Sequence, residues 1–350
     1  MKVAITADVH LRSRAESPAR YRALESVFQQ SRAAGAGHVV VAGDLLDAEY
    51  RSFGDFEGLC RPFGDLEVHV IPGNHDAGLS ERSMAGAHVH VYSEARAVDL
   101  GGTCFLFLPY APGTTMAQAL AEAGGRPPAD PWVLVGHGDY YGGVREPNPL
   151  EPGTYMPLTR TEVEGLGARA VFLGHIHKPG QWGSVWYAGS PCGLDIHETG
   201  VRRFLLYDTA TGRIEARPVV TDHLYFIESF VVLPVADEVA LLEGEIARRI
   251  AAWGIGPADQ GKVRVRVAAR GYATDRRAIQ EALERGFRGY RFDDEGGPDT
   301  AGLSMASDDQ RNAIAQRTRA VLEGLDWDFG GDEPDREEVL MAALAAVYGS

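Results

Sequence analysis

A chain of 350 residues with 45% hydrophobic side chains is long enough for two domains and apolar enough for packed cores, which excludes wholesale disorder. Acidic residues (49) outnumber basic ones (34), and the net charge of −15 speaks against a surface built for indiscriminate nucleic-acid binding. No apolar run approaches the ~20 residues of a membrane span.

Residues 2–7 (KVAITA) form a short apolar run with β-branched members and read as a buried strand. Residues 19–34 carry helical spacing through Tyr21, Leu24, Val27 and Phe28. Five more runs, 38–42, 66–71, 103–108, 132–136 and 170–174, read as buried strands, several ending in a polar turn with Gly or Asp. Strands alternating with helices predict an α/β fold with largely parallel sheets. Residues 203–208 and 214–219 read as a hairpin around Gly212. A second pattern starts near residue 225: a strand at 226–233, a helix at 236–253, an alternating strand at 262–268 and a helix at 275–286. Residues 293–304 read as a Gly- and Asp-rich linker, and 307–323 and 335–347 as two short helices. The last helix carries an apolar stripe of Val339, Leu340, Ala343, Leu344 and Val347.

Charge follows the same division: residues 1–224 carry net −7, residues 225–292 net +2, and residues 293–350 net −10. The N-terminal MKVAITADVH lacks a secretory signal, and the three scattered cysteines (Cys60, Cys104 and Cys192) argue for a reduced compartment. A cytoplasmic protein is expected, with each cysteine a small buried hydrophobe.

Five polar clusters directly follow predicted strands: Asp8-Val9-His10, Gly43-Asp44-Leu45-Leu46-Asp47, Gly73-Asn74-His75-Asp76, Gly136-His137-Gly138 and Gly174-His175-Ile176-His177. In an open α/β sheet such loops meet beyond the carboxyl ends of the strands. No Lys or Arg lies within the clusters to neutralise their carboxylates. Asp and His converging without cationic partners call for metal ions. The set suits two ions sharing one carboxylate, about 3.5–4 Å apart, a pair that activates a bridging water and clamps the oxygens of a phosphoryl transfer. Mixed His, Asp and Asn ligation fits Mn²⁺, Fe²⁺ or Zn²⁺ better than Ca²⁺. Each cluster alone is as easily a structural turn. The ordered set of five carries the reading.

The ordered set D-x-H, G-D-x-x-D, G-N-H-D, G-H, G-H-x-H resembles the calcineurin-like metallophosphoesterases. The resemblance implies a two-sheet sandwich with a small α+β cap and a short helical C-terminal tail, over residues 1–224, 225–292 and 293–350. It implies Asp8, His10 and His177 as ligands of a first ion, Asn74, His137 and His175 as ligands of a second, and Asp44 as the bridging carboxylate. His75 is similar to the family's histidine that contacts the scissile phosphate, with Asp76 orienting it. Tyr187-Ala188-Gly189-Ser190-Pro191 resembles the Y-x-G-S-P segment of DNA-repair nucleases of the SbcD type. That narrower likeness implies Mn²⁺-dependent DNA exonuclease or endonuclease activity, a nucleoid-associated homodimer, and an SMC-like ATPase partner of the SbcC type. Asp47 stands where some of these nucleases carry His.

The strand at 262–268 places Lys262, Arg264 and Arg266 opposite Val263, Val265 and Val267, with Arg270 following. A DNA-contacting stripe on the cap and a plain solvated strand face are both consistent with that alternation. His38, His69, His88, His90, His197 and His223 read as packed or exposed rather than ligating, and Trp182 and Trp186 as core rather than base-stacking. Two other functions remain open: a phosphodiesterase or phosphatase for small nucleotides, and a non-catalytic scaffold for the ATPase.

Overall fold

The computed structural model describes residues 1–48, 53–84, 86–142, 153–235, 237–293, 296–306, 308–327 and 335–348. The chain divides into two compact units: Met1–Leu194 with Arg202–Asp222, and Asp195–Val201 with His223–Ser350.

The first unit holds two six-stranded sheets. The order in one is Ile214–Pro218, Arg203–Asp208, Lys2–Thr6, Ala36–Ala42, Glu67–Ile71, Val89–Val91, and its last four strands are parallel. The order in the other is Gly180–Trp182, Val185–Tyr187, Ala170–Gly174, Trp132–His137, Thr103–Phe107, Arg96–Leu100, with four parallel strands in the middle. The predicted hairpin forms as the antiparallel pair Arg203–Asp208 and Ile214–Pro218.

Burial on both faces explains the uninterrupted apolar runs. Val39 and Val41 pack beneath helices Pro18–Ala33 and Gly54–Cys60, whereas Val40 faces the opposite sheet. The second sheet repeats the scheme. Leu134 and Val171 pack against helices Met116–Glu122 and Arg160–Leu166, while Val133, Val135 and Phe172 point inward. The result is the expected α/β fold, two sheets face to face with helices outside.

Between the sheets lies a ladder of aromatic and imidazole rings. His69 stacks on His38, His90 and Phe107 at centroid distances of 5.2, 5.2 and 5.6 Å. Its Nε2 lies 2.9 Å from His38 Nδ1 and its Nδ1 2.8 Å from the Tyr92 hydroxyl. The histidines outside the motifs are thus in part a packed cluster.

The second unit is a sheet with Leu224–Val232 and Val263–Ala273 parallel; Arg291–Phe292 and Asp299–Met305 both pair with the latter. Helices Glu238–Ala252 and Arg276–Gly286 supply Leu242, Ile246, Ile279 and Leu283 to its core. Trp253 stacks on Phe226 at 4.2 Å and donates to Glu228 Oε1. One expectation is corrected here. Residues 299–305, expected as part of a linker, are a strand, because Leu303 is buried and edge pairing tolerates the small residues around it. The apolar stripe of helix Arg336–Tyr348 faces inward: Leu340 and Leu344 pack on Leu233, Val235 and Ala315 of the same unit. The second unit takes in the chain from His223 onward.

Burial, with His38 and His90 adding repulsion, lowers the His69 pKa from its usual 6.5 to about 3. The unfolded chain binds a proton near the usual value, so folding loses stability as pH falls below about 6.5. Between about pH 7.5 and pH 5 this one group is expected to cost about 2 kcal/mol. Urea unfolding of His69→Phe is expected to lose less stability over that interval than wild type; equal losses contradict the assignment.

Candidate metal centre

The loops that follow the parallel strands continue their ladders before they turn. The Asp8 N–H donates to Gly43 O (3.1 Å), the His10 N–H to Asp44 O (3.0 Å) and the Leu11 N–H to Leu45 O (2.9 Å). Five non-glycine residues among those described have positive φ: Asp8 (53°), His10 (50°), Asp44 (50°), His175 (97°) and Met156 (42°). Four of them are expected ligands. Such backbone costs on the order of 1–3 kcal/mol per residue and persists only where its surroundings enforce it. Gly174 shows how tight the site is: a Cβ there would lie 2.0 Å from Ala42 O and 2.8 Å from His137 Nδ1.

Several of these side chains lie close together. His10 Nε2 lies 3.1 Å from His177 Nε2 and 3.7 Å from Asp44 Oδ2. His137 Nε2 lies 3.4 Å from the same Asp44 oxygen. Asn74 Oδ1 is 2.8 Å from His137 Nε2 and 3.2 Å from His175 Nδ1. Three overlapping groups have the proximity to hold an ion: Asp8, His10 and His177; His10, Asp44 and His75; Asp8, Asp44 and His137.

The electrostatics ask for positive charge. Asp8 and Asp44 are 0% and 1% exposed, and their ion-pair partners are imidazoles. Burial raises the Asp8 carboxyl to about 6, against the pull of His177 and His137. Burial also works to raise Asp44, but His137, His10 and His75 outweigh it and hold that carboxyl below the usual range. Burial lowers His10 to about 3, which leaves it a neutral ring with a lone pair to offer. At His137 burial works downward, yet the Asp44 carboxylate lifts the ring to about 9.

The donor set fits metal ions on two counts. Asp8 Oδ2 is buried with no hydrogen-bond partner among the described residues. With His137 Nδ1 set to donate to Ala42 O (3.0 Å), its Nε2 faces both Asn74 Oδ1 (2.8 Å) and Asp44 Oδ2 (3.4 Å), where a cation would take the place of the proton that Asp44 draws onto the ring.

The sequence pattern of the calcineurin-like phosphoesterase family matches residues 1–179, just over half of the chain. The chain belongs to that family. Membership implies a hydrolase of phosphoesters that works with two metal ions. Among solved structures the chain is similar to the TT1561 protein of Thermus thermophilus, with 15% identity and TM-score 0.40 over 63% of this chain and 99% of that one. It is similar to a dimetal phosphatase from Danio rerio, with 12% identity and TM-score 0.41 over 63% and 97%. It is also similar to a purple acid phosphatase from yellow lupin (Lupinus luteus) seeds, with 13% identity and TM-score 0.39 over 62% and 52%. No curated protein sequence matches the chain.

The other expected residues of this calcineurin-like chain fall out unevenly. The His75 N–H donates to Asp44 Oδ1 (2.8 Å), and its ring meets His10 edge-on at 4.7 Å. Asp76 Oδ1 and Oδ2 accept the N–H groups of Gly73 (2.6 Å) and Leu46 (3.0 Å). Its positioning acts on the backbone of two loops, because main-chain amides lie closest to it. Asp47 pairs with Arg12 (3.0 Å) and Arg20 (3.5 Å). In the second unit Lys262, Arg266 and Arg270 sit 2.8, 2.9 and 3.6 Å from Asp259, Asp293 and Glu337, and Arg264 is exposed. Trp182, expected in the core, is 49% exposed, because its short edge strand leaves the ring beside Tyr140.

Tyr187–Pro191 braces the site. The Tyr187 hydroxyl donates to Gly138 O (2.7 Å), and the Ser190 N–H donates to His177 O (3.1 Å). Gly189 has φ 71°, and a Cβ there would meet His177 O at 2.4 Å. Arg202 was not legible in the sequence. It is 2% exposed, and its guanidinium donates to Ser190 O (2.9 Å), Ser190 Oγ (2.7 Å) and His177 O. Asp139 and Tyr155 were also missed, although Asp139 closes the run Gly136-His137-Gly138-Asp139. Among the described residues no helix is long and apolar enough to cross a membrane.

Arg202→Met keeps the packing length and removes the donors. It is expected to lower stability by about 2–3 kcal/mol and to weaken Mn²⁺ binding. An unchanged Tm and an unchanged ion affinity contradict the bracing role.

Proposed function

We propose that the chain is a Mn²⁺-dependent DNA nuclease that hydrolyses phosphodiester bonds. Asp8, His10 and His177 would hold one ion, Asn74, His137 and His175 a second, and Asp44 would lie between them. The observation that carries this reading is the convergence of His10 and His137 on the Asp44 Oδ2 atom. The Tyr187–Pro191 brace supports the narrower nuclease assignment, since it ties the loops of His137 and His177 to the segment that resembles SbcD-type enzymes.

When bound, a pair of divalent ions supplies Lewis-acid polarisation of the phosphoryl oxygens and activates water as a nucleophile. The protein's part is orientation and proton transfer. Asp76 clamps the Asp44 and Asn74 loops together. The N–H of His75 fixes the Asp44 carboxylate, and the His75 ring, beside His10, would donate a proton to the departing oxygen. The scaffold alternative would need none of this polar convergence.

A homodimer with an SMC-like ATPase subunit, associated with the nucleoid, belongs to the same reading. The inward packing of Leu340 and Leu344 leaves exposed Ile314, Val321 and Leu325 as the apolar residues such a partner would meet. A second reading, a phosphodiesterase for small nucleotides, is favoured by the carboxylates that pair with Lys262, Arg266 and Arg270 and by the net charge of −15.

The test compares Mn²⁺-dependent hydrolysis of a linear DNA duplex and of bis-p-nitrophenyl phosphate, in wild type and Asp44→Ala. Cleavage of both substrates, falling to background in the variant, is the expected result. Cleavage of the small diester alone, unrestored by the ATPase subunit, rejects the DNA assignment in favour of the second reading.

A further inference from the structure

A ligating His175 offers one particular ring nitrogen, and the groups on the two sides of its ring differ. Its Nδ1 points to Asn74 Oδ1 at 3.2 Å, on the side where His137 Nε2 also converges. Its Nε2 points the other way, to Asp139 Oδ1 at 3.6 Å. A neutral imidazole carries one proton. With the proton on Nε2, Nδ1 is a ligand; with the proton on Nδ1, His175 is a donor to Asn74 and no ligand at all.

We propose that Asp139 is the positioning residue that holds the His175 proton on Nε2 and so presents Nδ1 to an ion. Asp139 is 7% exposed, and its other oxygen accepts the Tyr155 N–H at 2.8 Å. Its own N–H donates to Tyr155 O and its carbonyl accepts the Leu158 N–H, both at 2.8 Å. The carboxylate is therefore fixed by a two-stranded contact rather than left to rotate. Tyr155 closes the arrangement from the ring face, 4.5 Å from the His175 centroid. The Asp139 carboxylate lies on the Nε2 side of the His175 ring, away from Asn74, which places it as a support rather than a ligand. A carboxylate behind a ligating histidine orients the ring and raises its basicity, and its loss typically costs about 10–100-fold in metal affinity. The inference rests on the two-ion reading given above.

The test titrates Mn²⁺ into the metal-free full-length protein, following the free-ion signal by electron paramagnetic resonance, with the metal-free Tm recorded alongside. Wild type, Asp139→Leu, Asp139→Asn and His175→Ala are compared. Asp139→Leu is expected to weaken one of two ions by about 10–100-fold and to leave the other ion and the metal-free Tm near wild type. Asp139→Asn, which keeps a side-chain oxygen, is expected to recover most of that affinity. If His175→Ala loses an ion while Asp139→Leu binds both as wild type does, the inference fails and the two-ion reading stands. If His175→Ala also binds as wild type, both fail. A fall in affinity for both ions together with a lowered metal-free Tm, unrescued by Asp139→Asn, marks a merely structural role and overturns the inference.

Discussion

Negative charge buried without a lysine or arginine to answer it is the constraint around which the first unit is arranged. Asp8, Asp44 and Asp76 are at most 4% exposed. Asp76 is met by two main-chain amides, whereas Asp8 and Asp44 accept one main-chain amide each and otherwise face imidazoles. Each isolated carboxylate in such a place costs several kcal/mol. The same environment keeps His10 neutral and draws a proton onto His137. A fold keeps such a cluster only when cations complete it, and the family to which the chain belongs works with two metal ions. Placing the proposed ions here turns an electrostatic liability into binding energy.

Holding the cluster in place demands strain elsewhere. Asp8, His10, Asp44 and His175 all occupy left-handed backbone. Three kinds of support over-determine them. Hydrogen bonds between the Asp8 and Asp44 loops extend the sheet past its last strand residue. The Asp8 carboxylate accepts the His175 N–H at 2.8 Å, which links the two sheets directly. Arg202 and Gly189 hold the His177 loop from below through main-chain oxygens. These contacts fix the donor atoms before any ion arrives, and preorganisation of that kind is what electrostatic catalysis needs.

Much of this was legible in the sequence because it rests on local rules. Val39–Val41 reads as a strand since both faces are covered, and the polar residues after it have nowhere to point but the sheet's end. The helices Met116–Glu122 and Arg160–Leu166 were passed over, as each is only two turns long. Their Thr115/Gln118 and Thr159/Glu162 capping boxes were nonetheless visible signals. Asp299–Met305 was misread because Gly and Asp around it suggest a linker, whereas its neighbour strand supplies the pairing. Arg202 could not have been found by pattern, since nothing local distinguishes a buried arginine from the exposed Arg203 beside it. The face of Lys262, Arg264 and Arg266 was read with the right alternation. The partners of Arg266 and of Arg270 beyond it, Asp293 and Glu337, come from distant positions that no periodicity reveals.

The central claim is that Asp44 lies between two ions. Anomalous diffraction at the manganese edge, on crystals of the Mn²⁺-loaded protein, tests it most directly. The account predicts two peaks about 3.5–4 Å apart, one against His10 and His177, the other against Asn74, His137 and His175, with an Asp44 oxygen touching both. A single peak, or peaks that leave Asp44 without a contact, would contradict it.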